Sequence, residues 1–388
     1  LKQTGLDQTG QYSIILAECV HSTPEEYLMS NAPVFDIDTA AFHKDPYPFL
    51  ERMRAPCPIA YVPALNAVLI TKRDDVFTLE KKIDVFSSDQ PDSLMTKLMG
   101  QNMMRKDSEA HQIERKAIFP TLSPKTVQTV WEAQFKAATQ DVLNTLTPLK
   151  TADLVKDFAM PVSGEALKAM TGLTQMTWQE MDRVSQGMID GCANYTGDPE
   201  VEARCHDCTA SIDDHITDCI SKGIEDSDMS LIAVQCRAGL SDAQLRANVK
   251  LAISGGQNEP RDAIAGILWA LLERPEVQHA LQSGTLGYLQ VFEEFTRWIS
   301  PIGMSPRRIA KPYRYNGIDF QPEDRVFLMF ASANRDETYF EDPNLFNPWR
   351  DTSKSVPFGA GPHFCAGAWA SRSLIVNVAL PMIMEAFP

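Results

Sequence analysis

Phe358-Gly359-Ala360-Gly361-Pro362-His363-Phe364-Cys365-Ala366-Gly367 is the stretch on which the reading of this chain turns. Two glycines and a proline make a tight loop, and the Ala-rich run after Cys365 begins a helix. A thiol at a helix N-terminus, among backbone N–H donors, is expected to have a lowered pKa and to be held as a thiolate. For a lone cysteine the alternative is a small hydrophobe in the core. The Gly-x-Gly spacing also raises a dinucleotide-binding loop, but Phe364 stands where the third glycine belongs, and that reading fails.

The rest of the chain bounds what such a loop can serve. With 388 residues it is long enough for two or three ordinary domains, or for one large one. Lys and Arg number 36 against 51 Asp and Glu, a net charge of −15, so no nucleic-acid partner is expected. Hydrophobic residues at 44% and charged residues at 22% fit a globular chain. No apolar run approaches the ~20 residues that span a bilayer, Ile264 to Leu272 being among the longest, so no membrane partner is expected either. Leu1-Lys2-Gln3-Thr4-Gly5 has neither the apolar core of a signal peptide nor an initiating Met. Eight cysteines in a chain of this length are not a disulfide scaffold, and the expected compartment is a reducing one, the cytoplasm.

Strand signals are few. Pro58–Val62 and Ala67–Thr71, separated by a turn near Leu65-Asn66, read as a hairpin, and Asn316-Gly317 between Tyr313–Tyr315 and Ile318–Phe320 reads as another. Ser123-Pro124 opens a long helix on which Val127, Trp131, Phe135, Ala138, Val142 and Leu146 share one face. Ser241 with Gln244 forms a capping box for a second, expected to run to Arg274. No Gly/Ser/Pro linker and no repeat divides the chain. The expected fold is a single large domain over residues 1–388, mainly α with a minor β portion.

The loop motif Phe-Gly-x-Gly-x-His-x-Cys-x-Gly, complete in Phe358, Gly359, Gly361, His363, Cys365 and Gly367, resembles the heme-binding loop of the cytochrome P450 monooxygenases. That resemblance implies the P450 fold, heme b (iron protoporphyrin IX) as cofactor, and Cys365 as the axial iron ligand. It extends to Glu294-Phe295-Thr296-Arg297, similar to the family's Glu-x-x-Arg pair, and to Ala333–Asp336 and Phe346–Arg350, which resemble the segments completing that network. His111 and Arg115, four apart on a helix, with Arg308 and His363, look like the partners of the heme propionates. The chain ends at Ala386-Phe387-Pro388, where the family usually continues into a small C-terminal sheet; that region is expected to be absent or truncated.

In the family, the long helix crosses the heme with a Gly pair, then an acid and a Thr that relay protons. Here the run is Ser254-Gly255-Gly256-Gln257-Asn258-Glu259-Pro260, which puts Asn258 at the acid position and Glu259 at the alcohol position. Pro260 removes an N–H donor and should open the helix at the Gly256 carbonyl. Gly255 and Gly256 are therefore expected against the cofactor, Glu259 as proton carrier, and Asn258 as a group that orients water. Similar Gln-Glu-Pro and Asn-Glu-Pro runs occur in family members that O-demethylate small methoxy-aromatics.

The resemblance implies a monooxygenase acting on a small apolar or aromatic substrate, with O-demethylation of an aromatic ether as the finer expectation. Two alternatives stand beside it: a peroxide-driven peroxygenase using Glu259 as acid–base, and a heme-binding sensor or carrier without turnover. No iron–sulfur, flavin or nicotinamide signature is present, so electrons are expected from a ferredoxin- or flavodoxin-type partner or a fused reductase. Arg105, Lys106, Arg115 and Lys116 offer a docking patch for it, or ordinary solvated charges. Met95, Leu98, Met99, Met103 and Met104 read as pocket roof or core. Cys205-His206-Asp207-Cys208, with His215 and Cys219, suggests zinc only weakly, because no second close Cys pair follows.

Overall fold

The computed structural model describes residues 30–387; the expectations placed on Leu1–Gly5 and on Pro388 lie outside them. Strand β1 (Ile59–Val62) pairs antiparallel with β2 (Ala67–Ile70), Ile59 opposite Ile70. The turn between them closes at Asn66, whose φ of +46° is a left-handed conformation that Asn tolerates. Three more strands complete the sheet: β3 (Phe86–Ser87), β4 (Ser305–Ile309) and, after the hairpin β5 (Tyr313–Tyr315) and β6 (Ile318–Phe320), β7 (Arg325–Leu328). The order is β1-β2-β7-β4-β3, with β2 and β7 parallel. Asn316 and Gly317 both have positive φ, the two-residue turn anticipated for that pair.

Most of the rest of the described chain is helical, with loops between the helices. Ser123 accepts from the Thr126 N–H, and the chain stays helical from Pro124 to Leu146 through one π turn at Val127–Trp131. Val127, Trp131, Phe135, Val142 and Leu146 are buried along it. They pack on Ile264, Ile267, Leu268 and Leu271 and on Leu374 to Leu380, which form the main core.

The second long helix is not one rod. It is two, Asp242–Ser254 and Asn258–Leu272, separated by Gly255, Gly256 and Gln257. The Ser241–Gln244 capping box is present. The break comes before Pro260, which occupies the first turn of the second helix, where a missing N–H leaves no intrahelical bond unmade.

The Glu294–Arg297 pair fixes the segments that carry the Cys365 loop. Both side chains have 0% exposure, and Arg297 donates through Nε to Glu294 Oε2 (2.6 Å) and through Nη2 to Oε1 (2.8 Å). Arg297 Nη1 also reaches the carbonyls of Asn334 (2.8 Å) and Pro343 (3.0 Å), while the Asn347 N–H donates to Glu294 Oε1 (2.8 Å). Asn334 then accepts from the Val356 N–H at the root of the loop. Ala333–Asp336 and Phe346–Arg350 thus meet the pair as the sequence implied.

Candidate active site

Gly359 and Gly361 have φ of +72° and +65°, a conformation that only glycine adopts without strain, and the Cys365 N–H closes the loop on the Phe358 carbonyl at 2.9 Å. Phe358 packs on Phe292 and Phe364, with the Arg372 guanidinium over its ring at 4.9 Å. Arg115 Nη2 donates to the Phe364 carbonyl (2.6 Å), bracing the loop beside the sulfur. Gly367 caps the helix Ala368–Arg372, and a Cβ on it would meet no protein atom within 4 Å.

Cys365 counts as exposed, yet protein surrounds it closely enough that desolvation raises its thiol pKa. The surface it presents is therefore an inner one. The Gly367 N–H, Arg115 and Arg372 pull the other way without prevailing, and the charge of Glu259 adds to the rise. The expectation of a thiolate set up by backbone N–H donors alone is thus corrected: burial outweighs them. Thiolate formation here goes with metal binding, which releases the proton.

A cluster of histidines and arginines flanks the loop. His111 lies buried on the helix Ser108–Leu122, and its ring is 4.3 Å from that of His363. His363 Nε2 is 2.9 Å from Asp107 Oδ1. Burial, His363 and Arg115 push the His111 pKa down to about 4, and burial lowers that of His363 as well. Arg308 does not join them. Its Nη1 is 2.6 Å from Glu323 and its Nε donates to the Asp89 carbonyl (2.9 Å). Strand alternation in β4 turns the neighbouring Arg307 inward instead, 3% exposed. Arg105, 7% exposed, lies close enough to Arg307 that burial and this like charge lower its pKa to about 10.

Arg307 and Arg105 are the site residues that motif reading missed. Arg105 Nε, Arg307 Nε and His111 Nδ1 are buried without a hydrogen-bond partner among the described residues. Buried donors left unpaired are costly, and two propionate carboxylates are the acceptors this set suits. The chain therefore fits heme on its own geometry, with Cys365 as the soft ligand for iron.

The broken helix lies near enough for the charge of its Glu259 to act on Cys365. A Cβ on Gly256 would come within 2.5 Å of the Ala252 carbonyl oxygen and 3.0 Å of Leu167, so the turn requires glycine there; Gly255 ends the first helix and is exposed. Ser163 Oγ donates to the Gln257 carbonyl (2.7 Å), with a longer 3.5 Å contact to that of Gly256. Asn258 is occupied elsewhere: its amide donates to Gln186 (3.3 Å) and accepts from Ser185 (3.4 Å), both on the helix Trp178–Cys192. It holds the break against that helix. Glu259 differs. Its Oε2 is buried without a partner, and burial, helped by Asp262, raises the carboxyl to about 7.

The remaining candidates resolve as structure. Cys205 and Cys208 are buried free thiols in the helix Pro199–Ser221, and no cluster able to hold a metal ion occurs among the described residues. Cys57 is disulfide-bonded. Met99 and Met103 lie in the core with Met181, Val249 and Ile253; Met95 and Leu98 pack against it. Of the four expected docking cations, Arg105 is buried, Lys106 pairs with buried Glu114, Arg115 bonds the loop, and Lys116 is exposed.

Comparison with known proteins agrees with this geometry. The family model described as Cytochrome P450 matches residues 50–387. Cytochrome P450 109 of Bacillus spizizenii is 25% identical over 376 residues, covering 95% of this chain and 91% of its own length. The epothilone C/D epoxidase of Sorangium cellulosum is 24% identical over 383 residues, 92% of this chain and 90% of its own. Among solved structures, P450BioI in complex with an acyl carrier protein ligated to hexadec-9Z-enoic acid superposes with a TM-score of 0.80 at 19% identity, covering 90% of this chain and 94% of its own. No helix among the described residues is long and apolar enough to cross a membrane.

Proposed function

The chain belongs to the cytochrome P450 monooxygenase family with heme as its cofactor, and from that premise we propose that Glu259 is its proton carrier, in place of the family's Thr. When bound through Cys365, heme supplies the redox chemistry in which one atom of O2 enters a C–H bond and the other leaves as water. We read Arg105, His111, Arg115, Arg307 and His363 as the groups that hold its propionates.

The observation that carries the proposal is the unpartnered, buried Oε2 of Glu259, close enough for its charge to act on Cys365. A carboxyl raised to about 7 is divided between its two forms near neutrality, so it can give a proton and take one back. Asp262, exposed one turn on and paired with Arg261 (2.7 Å), lies near enough to raise it, and we infer that it resupplies the proton from solvent. Ser163, Gln186 and Ser185 fix the turn, so Glu259 keeps its place while the substrate comes and goes.

For the substrate we favour a small aromatic ether, oxidised at its methyl carbon so that formaldehyde leaves; what supports this is the likeness of the Asn258-Glu259-Pro260 run to small methoxy-aromatic O-demethylases. The electron donor we infer is a ferredoxin- or flavodoxin-type protein, or a fused reductase, in the cytoplasm. Glu259→Gln keeps the size of the side chain but cannot titrate. It should slow product formation by roughly 10²–10⁴-fold while NADH use continues, the electrons leaking to hydrogen peroxide. Unchanged rate and coupling would overturn the assignment. Turnover with added hydrogen peroxide but not with a redox partner would favour the peroxygenase, and turnover with neither the sensor or carrier. A ligand panel scored by the spin state of ferric heme tests the substrate class.

A further inference from the structure

Glu80 ends the helix Arg73–Leu79, where a carboxylate opposes the helix dipole, and it is only 2% exposed. An acid so placed is costly unless its oxygens are used. They are. Oε2 accepts the Ala360 N–H at 2.6 Å, and Oε1 stands 3.5 Å from Arg307 Nη2. A Cβ on Gly359 would lie 2.7 Å from Oε1, so the second residue of the loop motif is bare where this carboxylate inserts.

We propose that Glu80 is a positioning residue of the heme site, bracing the thiolate loop through Ala360 and sharing Arg307 with a heme propionate. The inference rests on the heme-thiolate reading above. Glu80 is the carboxylate in ion-pair contact with Arg307. It thereby limits how far that guanidinium neutralises the propionate edge, and it adds a negative charge of its own. Burial raises the Glu80 carboxyl to about 7, against the opposing pull of Arg307, the Ala360 N–H and Lys81. The other charges facing Arg307 are Asp107, His363 and Arg105. Adding an electron to the heme should therefore be easier when Glu80 is protonated.

The test is the midpoint potential of the heme-loaded protein from pH 6 to 9. Glu80→Gln keeps an oxygen for the Ala360 N–H and loses the charge. Its potential should lie above that of the unmodified protein on the alkaline side, and the part of the pH dependence centred near 7 should disappear. Glu80→Ala loses the brace as well and should release heme faster to apomyoglobin. A Glu80→Gln potential that follows the unmodified one across the whole range overturns the proposal. If Glu80→Gln does not load with heme, Glu80→Asp decides. Loading at the unmodified potential supports a role for the charge; equal failure makes Glu80 a packing residue and overturns it. The ferrous–CO spectrum of the unmodified protein is read first. Without a thiolate signature the heme-thiolate reading itself fails, whereas with it a null result sinks only Glu80.

Discussion

Removal of the Glu294 carboxylate tests whether the buried ion pair carries the loop. Glu294 has 0% exposure and takes two hydrogen bonds from Arg297, one from the Asn347 N–H, and a longer 3.4 Å contact from Arg350 Nε. In Glu294→Ala the Arg297 guanidinium keeps its bonds to the carbonyls of Asn334, Pro343 and Leu345 but loses its counter-charge. Breaking a buried pair from one side costs about 3–5 kcal/mol, and an orphaned backbone N–H about 1–3 kcal/mol more. Domains as a rule hold only about 5–15 kcal/mol in all. The variant should therefore unfold at much lower urea, and because Arg297 anchors Asn334, which in turn holds Val356, it should also lose heme. Glu294→Gln, which keeps an acceptor, should fall between. Urea unfolding followed by both far-UV circular dichroism and heme absorbance measures each effect. A heme-loaded Glu294→Ala destabilised by less than about 1 kcal/mol, the scale of an exposed pair, would refute the reasoning.

Four further outcomes follow from the same geometry. Cys365→His should abolish the red-shifted ferrous–CO band of a thiolate ligand, and an ordinary histidine-type spectrum in the unmodified protein would end the reading. Glu259 donates from its protonated form, so product formed per NADH should decline as pH rises through about 7, and the Glu259→Gln profile should be flat there. Lys106→Glu sets an acid against Glu114, which is 0% exposed and already accepts from Gln244 (2.8 Å) and Asn248 (2.9 Å), so it should destabilise by about 3–5 kcal/mol. Lys116→Glu, at an exposed position, should leave stability unchanged and alter only the salt dependence of reduction by the electron donor.

Sequence reading succeeded where the constraint is local. The Asn316-Gly317 turn, the Ser123 and Ser241 caps and the positive-φ glycines of the loop each follow from a backbone demand that few residues meet. The long helix is read from sequence as one run to Arg274 that opens at the Gly256 carbonyl, and the structure goes further there, dividing it into two helices. Its apolar positions continue from Leu245 to Leu271, so periodicity reads straight through a break that is only three residues long. The break is held in part by Ser163, about 90 residues away in sequence, a contact that no window of neighbours shows.

The histidine–arginine cluster shows why a motif can name the site and still misassign its residues. Arg307 and Arg308 are adjacent, and in a strand adjacent side chains face opposite ways. Which one turns inward depends on the register of β4, where Arg308 stands opposite Arg325 on β7 and Ser87 on β3. That register is set in part by β3, whose Ser87 lies far back in the chain from Arg308. Once it is fixed, the charges sort themselves by solvation. Arg308 reaches Glu323, which is more than half exposed, and keeps its water. Arg307 gives up its water and is left with Glu80, the Pro306 carbonyl (3.3 Å) and an unpartnered Nε. A buried guanidinium with one acid at 3.5 Å and an unpaired donor is poorly satisfied by protein alone. The same holds for Arg105, with no ion pair of its own among the described residues, and for His111 Nδ1. Such deficits, clustered beside a thiol on an inner surface, are the physical form of a cofactor-binding site: what the chain leaves unsatisfied states the charge and the acceptors of the group it takes up.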